Sequence, residues 1–306
     1  MPGKRKARLI LCSGKGGTGK STVAAAIGIH FSGEGKNVLL VSSDPTHSLS
    51  GIFNKRLTGN VAKINSKLYA TELDVEKIAK KVEQQYRRIF VNALASWFDE
   101  EIIDDLPVEI LSGVDELFAL DKIRYFVDKD YDVVVWDTSP TAYTLRLLSM
   151  SQKLSEAVSR SLGLYVKLAH PIQTLKALFK RAPEPEILTA FKKLGEVTKN
   201  IEAMLSDART ELILVLNPEK LPIQEGKQLR AAAERYNIAL KRLVVNKMML
   251  PCKCQFCTIK RNEQQKNLEV IHKEYGDLKI LTVPYFPHEV ISKKRVEEYA
   301  GKLFEE

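Results

Sequence analysis

The feature of this sequence that most constrains its fold is a glycine-rich segment close to the N-terminus. Residues 14–22 read GKGGTGKST and match the whole pattern G-x-x-x-x-G-K-[ST]. The segment follows an apolar run at residues 8–12, typical of a buried strand, and it opens a helical pattern at residues 21–31. A loop in this position turns its backbone N–H groups toward a bound phosphate, and the helix dipole adds to the attraction. The sequence therefore predicts a phosphate-binding loop in an α/β fold.

Each residue of this loop has an expected part in binding a nucleoside triphosphate. Lys20 is expected to bridge the β- and γ-phosphates, and the Ser21 hydroxyl is expected to hold magnesium. The glycines allow the backbone to approach the phosphates closely. The predicted phosphate-binding residues are Gly14, Lys15, Gly16, Gly17, Thr18, Gly19, Lys20, Ser21 and Thr22.

The rest of the chain carries short apolar runs separated by helical patterns. Runs that do not alternate between polar and apolar residues suit strands buried on both faces of a parallel sheet. These runs lie at residues 8–12, 38–42, 68–73, 131–136, 211–216, 243–245 and 280–283. We predict a single P-loop domain of the α/β class over residues 1–306, with a doubly wound, mostly parallel sheet.

Two long stretches between strands have helical periodicity instead. Apolar residues recur every three or four positions in residues 75–97, and again in residues 154–179 and 187–205. We predict an inserted helical subdomain built from two separate segments, about 74–128 and 141–208. Because both segments leave the carboxyl ends of strands, they are expected to lie side by side.

Two aspartates are placed to complete the phosphate site. Asp44 follows the second predicted strand, where a carboxylate can orient the attacking water. Asp137 ends the fourth, where it can bind magnesium through water. The expected catalytic residues are Asp44, Lys15 and Lys20. Either aspartate could instead be the N-cap of the helix that follows it.

Composition and net charge do not by themselves indicate a nucleic-acid or membrane partner. The net charge is +9, but positive and negative residues are interspersed along the predicted helices, which is typical of solvated faces. No run approaches the roughly 20 apolar residues that span a bilayer, and the N-terminus lacks the apolar core of a signal peptide. We expect a cytoplasmic protein without a specific nucleic-acid partner. A DNA- or membrane-partitioning ATPase is an alternative because of the charge.

Several segments together resemble the arsenical pump-driving and tail-anchored-protein-targeting ATPases. DPTHSLS at residues 44–50 resembles their switch I, and DTSPTAYTLRLL at residues 137–148 resembles their switch II. NPEKLPIQE at residues 217–225 is similar to the segment that approaches the nucleotide across a dimer. Ala142 and Tyr143 depart from the Gly and His usual in switch II, and an alanine stiffens a loop that must move.

The same resemblance implies an adenine site near the C-terminus. VVNK at residues 244–247 and VPYFPHEV at residues 283–290 resemble the parts that hold the base. By this resemblance Asn246 hydrogen-bonds the base edge, and Pro284 and Phe286 pack on its face. The implied cofactors of the site are ATP and magnesium.

Lys15 is the residue that the resemblance makes most informative. A second lysine directly after the first glycine defines the deviant Walker-A group, in which it reaches the partner's nucleotide across a dimer interface. A cation from the partner would neutralise charge that develops during phosphoryl transfer. The resemblance therefore implies a homodimer with two nucleotides face to face. The alternative is a lysine that binds its own nucleotide.

Three of the four cysteines fall in the hexapeptide CKCQFC at residues 252–257. Structural zinc takes four ligands, and Cys254 and Cys257 supply only two. In a homodimer two copies supply four, and the targeting ATPases carry a C-x-x-C at this position that binds zinc between subunits. Cys252 is one ligand more than this scheme needs. An iron–sulfur cluster, free thiols and redox thiols are the alternatives.

The distribution of cysteine also bears on which branch of the family the chain resembles. Residues 60–240 contain no cysteine, so arsenite has no thiol ligand in the predicted helical subdomain. This favours the targeting branch, whose members shield the transmembrane helices of tail-anchored proteins and contact the membrane or a receptor. A compact chain with only five methionines favours an archaeal origin. The expected groove residues are Leu162, Tyr165, Leu168, Leu175, Leu178 and Phe179.

Two other functions stay open at this point. One is an arsenical pump-driving ATPase. The other is an iron–sulfur carrier ATPase, although those proteins have a different switch II and lack a large helical insertion. The sequence also leaves open whether two dimers join into a tetramer around a client.

Overall fold

The structure is a computed structural model that describes residues 7–44, 46–75, 77, 78, 80, 114–138 and 185–305. Its described strands form one eight-stranded sheet in the order β3-β4-β2-β5-β1-β6-β7-β8. Neighbouring strands are parallel except for β3 and β4, which are antiparallel. The strands are β1 (Arg8–Ser13), β2 (Val38–Ser42), β3 (Ala62–Lys63), β4 (Leu68–Glu72), β5 (Val133–Asp137), β6 (Thr210–Leu216), β7 (Leu240–Met248) and β8 (Lys279–Pro284).

Seven helices accompany the sheet in the described part of the chain. They are α1 (Lys20–Gly33), α2 (Ser48–Phe53), α3 (Val114–Val127), α4 (Pro185–Leu205), α5 (Lys220–Arg235), α6 (Gln255–Tyr275) and α7 (Lys293–Phe304). Among these described helices, none has both the length and the apolar character needed to cross a membrane.

The predicted fold class is confirmed, and the errors in element bounds have local causes. The strand predicted at residues 243–245 is longer because its ends are half-buried or exposed and carry polar residues, so only its centre reads as apolar. The two-residue strand β3 is too short to leave a periodic signal. The C-terminal helix begins at Lys293, directly after Ser292, which has a φ of 93°.

The strand register brings the predicted site residues to one edge of the sheet. Cys12 at the end of β1 and Ser42 at the end of β2 are both register partners of Asp137 on β5. The carboxyl ends of these three parallel strands therefore meet, and the glycine-rich loop leaves β1 at the same place. This is the edge at which open α/β sheets bind their ligands.

The helix that follows the glycine-rich loop is buried on nearly all sides. Its small residues Ala24, Ala25 and Ala26 are fully buried in the main core, and so are the apolar residues on either side of them. The C-terminal helix α7 packs on α1 and adds Leu303 to the same core. A helix buried in this way holds the phosphate loop at a fixed place relative to the sheet.

The chain divides into two compact units, each described here by itself. The first comprises the sheet and consists of residues up to 74, 123–145 and from 204 onward. The second contains the described helical residues 114–122 and 185–203. The helical subdomain and its client groove stay a prediction, because the groove residues Leu162, Tyr165, Leu168, Leu175, Leu178 and Phe179 lie outside the described residues. Ala142 and Tyr143 of switch II lie outside them as well.

Candidate functional site

The glycine-rich loop joins β1 to α1 through a backbone path that only glycine allows. Gly19, directly before α1, has a φ of 94°, in the left-handed region. A Cβ atom at Gly14 would overlap the carbonyl oxygen of Val215 on the neighbouring strand β6. The hydroxyl of Thr18 donates to the carbonyl of Lys15 at 2.8 Å, and the Thr18 N–H donates to the same oxygen at 3.3 Å. The loop is thereby closed on itself at the start of a helix, as an anion-binding loop requires.

Lys20 lies inside the site and is only 4% exposed. Its ammonium group donates to the Lys15 carbonyl at 3.3 Å. Burial lowers the pKa of Lys20, whereas the negative charges of Asp137 and Asp44 raise it. The structure thus brings together the predicted phosphate-binding lysine and both predicted aspartates at the carboxyl edge of the sheet.

Asp137 is a fully buried carboxylate at the end of β5. Burial raises its pKa to about 6, although hydrogen bonds from the Ser21 and Ser42 hydroxyls act in the opposite direction. The Ser42 hydroxyl donates to Oδ2 at 3.0 Å, and Oδ1 has no hydrogen-bond partner among the described residues. A buried carboxylate oxygen without a donor, next to the Ser21 hydroxyl, has the chemistry that a magnesium ion and its water ligands need.

Asp44 lies at the same edge, 8% exposed, and is held by its own loop. Its Oδ1 accepts hydrogen bonds from the N–H of Thr46 at 2.9 Å and from the Thr46 hydroxyl at 2.7 Å. The helix α2 begins at Ser48 after His47, so Asp44 is not the cap of this helix. The alternative of a capping role at α2 is therefore wrong for Asp44. For Asp137 the segment after Thr138 lies outside the described residues, so the capping alternative is not tested.

Lys15 has an environment quite different from that of Lys20. Its ammonium group forms an ion pair with Glu225 on α5, with a distance of 3.1 Å between Nζ and Oε1. Both side chains are about one-third exposed, at 30% and 29%. Lys20 is therefore buried near the two aspartates, whereas Lys15 lies at the surface.

Two of the residues predicted to hold adenine, Asn246 and Phe286, contact a tyrosine of the C-terminal helix. The amide Nδ2 of buried Asn246 donates to the carbonyl of Thr18 at 2.8 Å, and its Oδ1 accepts from the Tyr299 hydroxyl at 2.8 Å. The Tyr299 ring lies 5.2 Å from that of Phe286, and half-buried Pro284 ends β8. Asn246 thus links the phosphate loop to α7, and its contact with a base stays a prediction.

Cys252, Cys254 and Cys257 form a second site, which we call the thiol cluster. Their three sulfur atoms lie within 4.8 Å of one another. Hydrogen bonds from the N–H groups of Cys257 and Phe256 lower the pKa of Cys254, whereas those with Cys252 and Cys254 raise the pKa of Cys257 to about 11. The fourth cysteine, Cys12, is buried in β1, and burial raises its pKa. The two predicted zinc ligands are therefore together, and Cys252 is beside them.

Sequence reasoning missed three residues that contact the predicted site. Ser42 could have been found, because it ends a strand that a doubly wound sheet places near the strand of Asp137. Glu225 lies in a segment that the sequence already singled out, but its pairing with Lys15 has no local pattern. Tyr299 contacts Asn246 from 53 positions away, and nothing in its amphipathic helix marks it.

The class of protein follows from what this edge of the sheet can bind. This edge combines a loop shaped to bind an anion, a buried ammonium group and a carboxylate with one oxygen that has no hydrogen-bond partner among the described residues. These groups are suited to a triphosphate with its metal ion. The site is that of a P-loop nucleoside triphosphatase.

Comparison with known proteins extends this class to a family. The family model described as Anion-transporting ATPase matches residues 7–305. The chain therefore belongs to this family of ATPases, and it is itself an ATPase.

Its relatives carry two kinds of name. The chain is 32% identical over 307 residues to a protein of Aquifex aeolicus (strain VF5) named arsenical pump-driving ATPase 2, covering 97% of this chain and 99% of that protein. It is 30% identical over 306 residues to the ATPase GET3B of Arabidopsis thaliana, covering 92% of this chain and 74% of the relative. It is 27% identical over 313 residues to the ATPase get3 of Pyrenophora tritici-repentis (strain Pt-1C-BFP), covering 97% and 91%.

The substitution Gly19→Ala tests the shape of the phosphate loop. A left-handed φ costs a residue with a side chain about 1–3 kcal/mol, and the new Cβ would also meet the Asn246 amide. We expect the free energy of unfolding to fall by this amount and ATP affinity to fall at least about tenfold. Urea unfolding and titration with a fluorescent ATP analogue measure the two effects. Gly33→Ala is the control, because its Cβ would enter open space, and equal losses in both variants would contradict the prediction.

The substitution Asp137→Asn tests how much the buried, ionised carboxylate lowers the free energy of unfolding. Since the folded pKa of about 6 exceeds the usual value of about 3.9, the native state binds more protons between these pH values, and stability falls as pH rises through this window. Without nucleotide, the variant should be more stable than the wild type at pH 7, on the order of 2 kcal/mol, and should lose this pH dependence.

Urea unfolding at pH 4.5, 5.5 and 7 measures the effect of Asp137→Asn. The control Asp130→Asn changes an exposed carboxylate and should leave the pH dependence as it is. An Asp137→Asn variant that is less stable than the wild type at all three pH values would show that the buried carboxylate does not destabilise the protein.

Proposed function

We propose that the chain is an ATP-hydrolysing homodimeric targeting factor of the cytoplasm. It shields the transmembrane helices of tail-anchored proteins and delivers them to the membrane or to a receptor there. The positions of the cysteines favour the targeting function over the arsenical pump function. Residues 60–240 contain none, and three lie within 4.8 Å of one another at residues 252–257, where the targeting ATPases have their C-x-x-C.

In the nucleotide pocket, the residues of the phosphate loop and the two aspartates divide the work. Lys20 binds the phosphates and Asp44 orients the attacking water. The Ser21 hydroxyl and the free oxygen of Asp137 have the chemistry to hold magnesium, which when bound neutralises charge on the phosphates. Asn246 fixes the position of the loop through the Thr18 carbonyl. Tyr299 contacts both Asn246 and Phe286, whose aromatic ring is suited to pack on the base.

Lys15 of one chain supplies a positive charge to the nucleotide bound by the other chain. An ion pair between side chains that are about one-third exposed contributes only about 0–1 kcal/mol, so Lys15 leaves Glu225 easily for a more strongly charged triphosphate. A partner's nucleotide carries such a charge, and a cation placed against it stabilises the developing charge in phosphoryl transfer. Hydrolysis is thereby tied to the pairing of two chains.

The thiol cluster lies on a face with the properties of an interface. Cys254 and Cys257 are donors that suit zinc, and two copies supply the four ligands of a closed site. Around them Leu250, Phe256 and Ile259 are 60%, 72% and 57% exposed. Large apolar side chains clustered on a surface favour contact with a second copy.

An arsenical pump-driving ATPase is the second candidate, because the relative from Aquifex aeolicus has that name. Trivalent arsenic binds thiolates, and the chain offers a group of three. Arsenite added to the enzyme separates the two functions. A rise in ATP turnover that depends on the thiol cluster would favour the pump function, whereas an unchanged turnover favours targeting.

The substitution Lys15→Ala tests the donated cation. A missing cation in the transition state of phosphoryl transfer lowers turnover strongly, and we expect a loss of about 10²–10³-fold. ATP binding to one chain should change little, because Lys20 still holds the phosphates. Steady-state ATPase assays over a range of protein concentrations measure the effect, with the exposed Lys36→Ala as control. Full turnover by isolated single chains would show that Lys15 has no such role.

Client binding is tested with the variant Asp44→Asn, which should hold ATP without hydrolysing it. We expect it to bind a fluorescent apolar helix of about 20 residues in the presence of ATP and to release it in ADP. The same peptide with two central lysines is the control, since each lysine costs about 2.5–3.5 kcal/mol in an apolar environment and binding should fall at least about 100-fold. Fluorescence anisotropy measures both. Equal binding of the two peptides would contradict targeting.

A further inference from the structure

Glu72 is a buried carboxylate at the carboxyl edge of the sheet, at the end of β4. Its side chain is fully buried, and it is the register partner of Ser42 at the end of β2. Its backbone is fixed by the preceding loop, because its N–H donates to the Leu57 carbonyl at 3.0 Å and its carbonyl accepts from the Gly59 N–H at 2.9 Å. This carboxylate has no part yet in the proposed hydrolysis, although β4 is the neighbour of the strand that Asp44 follows.

The Glu72 carboxylate holds the first turn of α2. Its Oε1 accepts a hydrogen bond from the Ser50 N–H at 2.8 Å, and its Oε2 accepts from the Ser50 hydroxyl at 2.6 Å and from the Thr58 hydroxyl at 3.3 Å. The Nδ1 atom of His47 lies 3.3 Å from Oε2. The first N–H groups of a helix lack partners within the helix and are stabilised by a nearby negative charge. Because the N-cap residue His47 makes no capping hydrogen bond with its side chain, Glu72 caps this helix from a neighbouring strand.

The start of α2 is joined by hydrogen bonds to Asp44. The N–H of His47 donates to the Asp44 carbonyl at 3.3 Å, and His47 has a φ of 53°, in the left-handed region. The Thr46 hydroxyl, which donates to Oδ1 of Asp44, lies 2.7 Å from the Ser48 hydroxyl. A left-handed φ in a residue with a side chain persists only where the surrounding structure imposes it. The contacts of Glu72 with this turn therefore help to fix the position of Asp44.

We propose that Glu72 is a positioning residue for ATP hydrolysis, which holds the Asp44 carboxylate in place through the start of α2. The inference rests on the proposed function in taking Asp44 as the residue that orients the attacking water. A displacement of about 1 Å in a reacting group can lower turnover about 100-fold. ATP affinity depends chiefly on the phosphate loop. The positioning role therefore predicts a lower kcat with little change in KM.

The substitution Glu72→Gln tests this role. The amide keeps an acceptor for the Ser50 N–H, but it loses the negative charge and turns an N–H donor toward the hydroxyls of Ser50 and Thr58. We expect kcat to fall about ten- to 100-fold, with KM within about twofold of the wild type. Steady-state ATPase assays over a range of ATP concentrations measure both quantities.

Glu211→Gln is the matched control, because it also removes the charge of a buried carboxylate from a strand of the sheet. Glu211 on β6 is 4% exposed and pairs with Arg8 and Arg242, away from the turn that follows β2. This variant should lose stability and keep the kcat of the wild type. An equal fall of kcat in both variants would overturn the inference, because the effect would then follow from the loss of any buried charge.

A double-mutant cycle with Asp44→Asn separates positioning from an independent effect of Glu72. If Glu72 acts only through Asp44, Glu72→Gln has no further effect in the Asp44→Asn background, whereas independent effects on the rate multiply. Single-turnover assays with radiolabelled ATP follow the slow residual hydrolysis of the Asp44→Asn variants over hours. We expect the double variant to hydrolyse ATP as slowly as Asp44→Asn alone, within about twofold.

Ser50→Ala is a second variant, which removes one hydrogen bond of the Glu72 carboxylate and leaves the carboxylate in place. It should lower kcat about two- to tenfold, the effect of a single hydrogen bond. Far-ultraviolet circular dichroism checks the fold of every variant, and Ser50→Ala takes the place of Glu72→Gln in the cycle if the latter does not fold. A wild-type kcat in Glu72→Gln, or effects that multiply in the cycle, would overturn this inference and leave the role of Asp44 standing. A wild-type kcat in Asp44→Asn would instead overturn the proposed role of Asp44, and this inference with it.

Discussion

The buried charges at the carboxyl edge of the sheet are the constraint on which the rest of the site depends. The ammonium group of Lys20 is buried; burial lowers its pKa, and the negative charges of Asp137 and Asp44 act in the opposite direction. Asp137 in turn is fully buried, and one of its oxygens has no hydrogen-bond partner among the described residues. Burial of such a cluster of charges lowers the stability of the protein alone. This is typical of a binding site, where functional residues lower the stability of the folded protein.

The position of these charges depends on parts of the chain far from the glycine-rich loop. Parallel pairing of β1 with β5 and of β2 with β5 aligns the ends of three strands, so that Ser42 and Asp137 meet. Asn246 from β7 fastens the loop through Thr18, and Tyr299 from the C-terminal helix orients the Asn246 amide. A short, buried chain of hydrogen bonds therefore connects α7 to the phosphate loop.

The surface of the same unit has two features that point outward. Lys15 forms an ion pair with Glu225 at the surface, where solvent weakens it. Lys20, in the same loop, is buried. The thiol cluster lies at the start of α6 among exposed apolar side chains. Both features suit contacts with another molecule, and both are built from residues that the sheet domain does not need for its own core.

The sequence by itself determined the fold class and the central part of the site. Unalternating apolar runs and the complete phosphate-loop pattern are local signals, since burial on both faces and tight glycine turns act on neighbouring residues. The tertiary structure alone decided two partners: Glu225 for Lys15 and Tyr299 for Asn246. It also decided the pKa of Asp137, because desolvation depends on what packs around a group from distant parts of the chain. Contacts across long sequence separations leave no periodic pattern, and only the folded chain brings their members together.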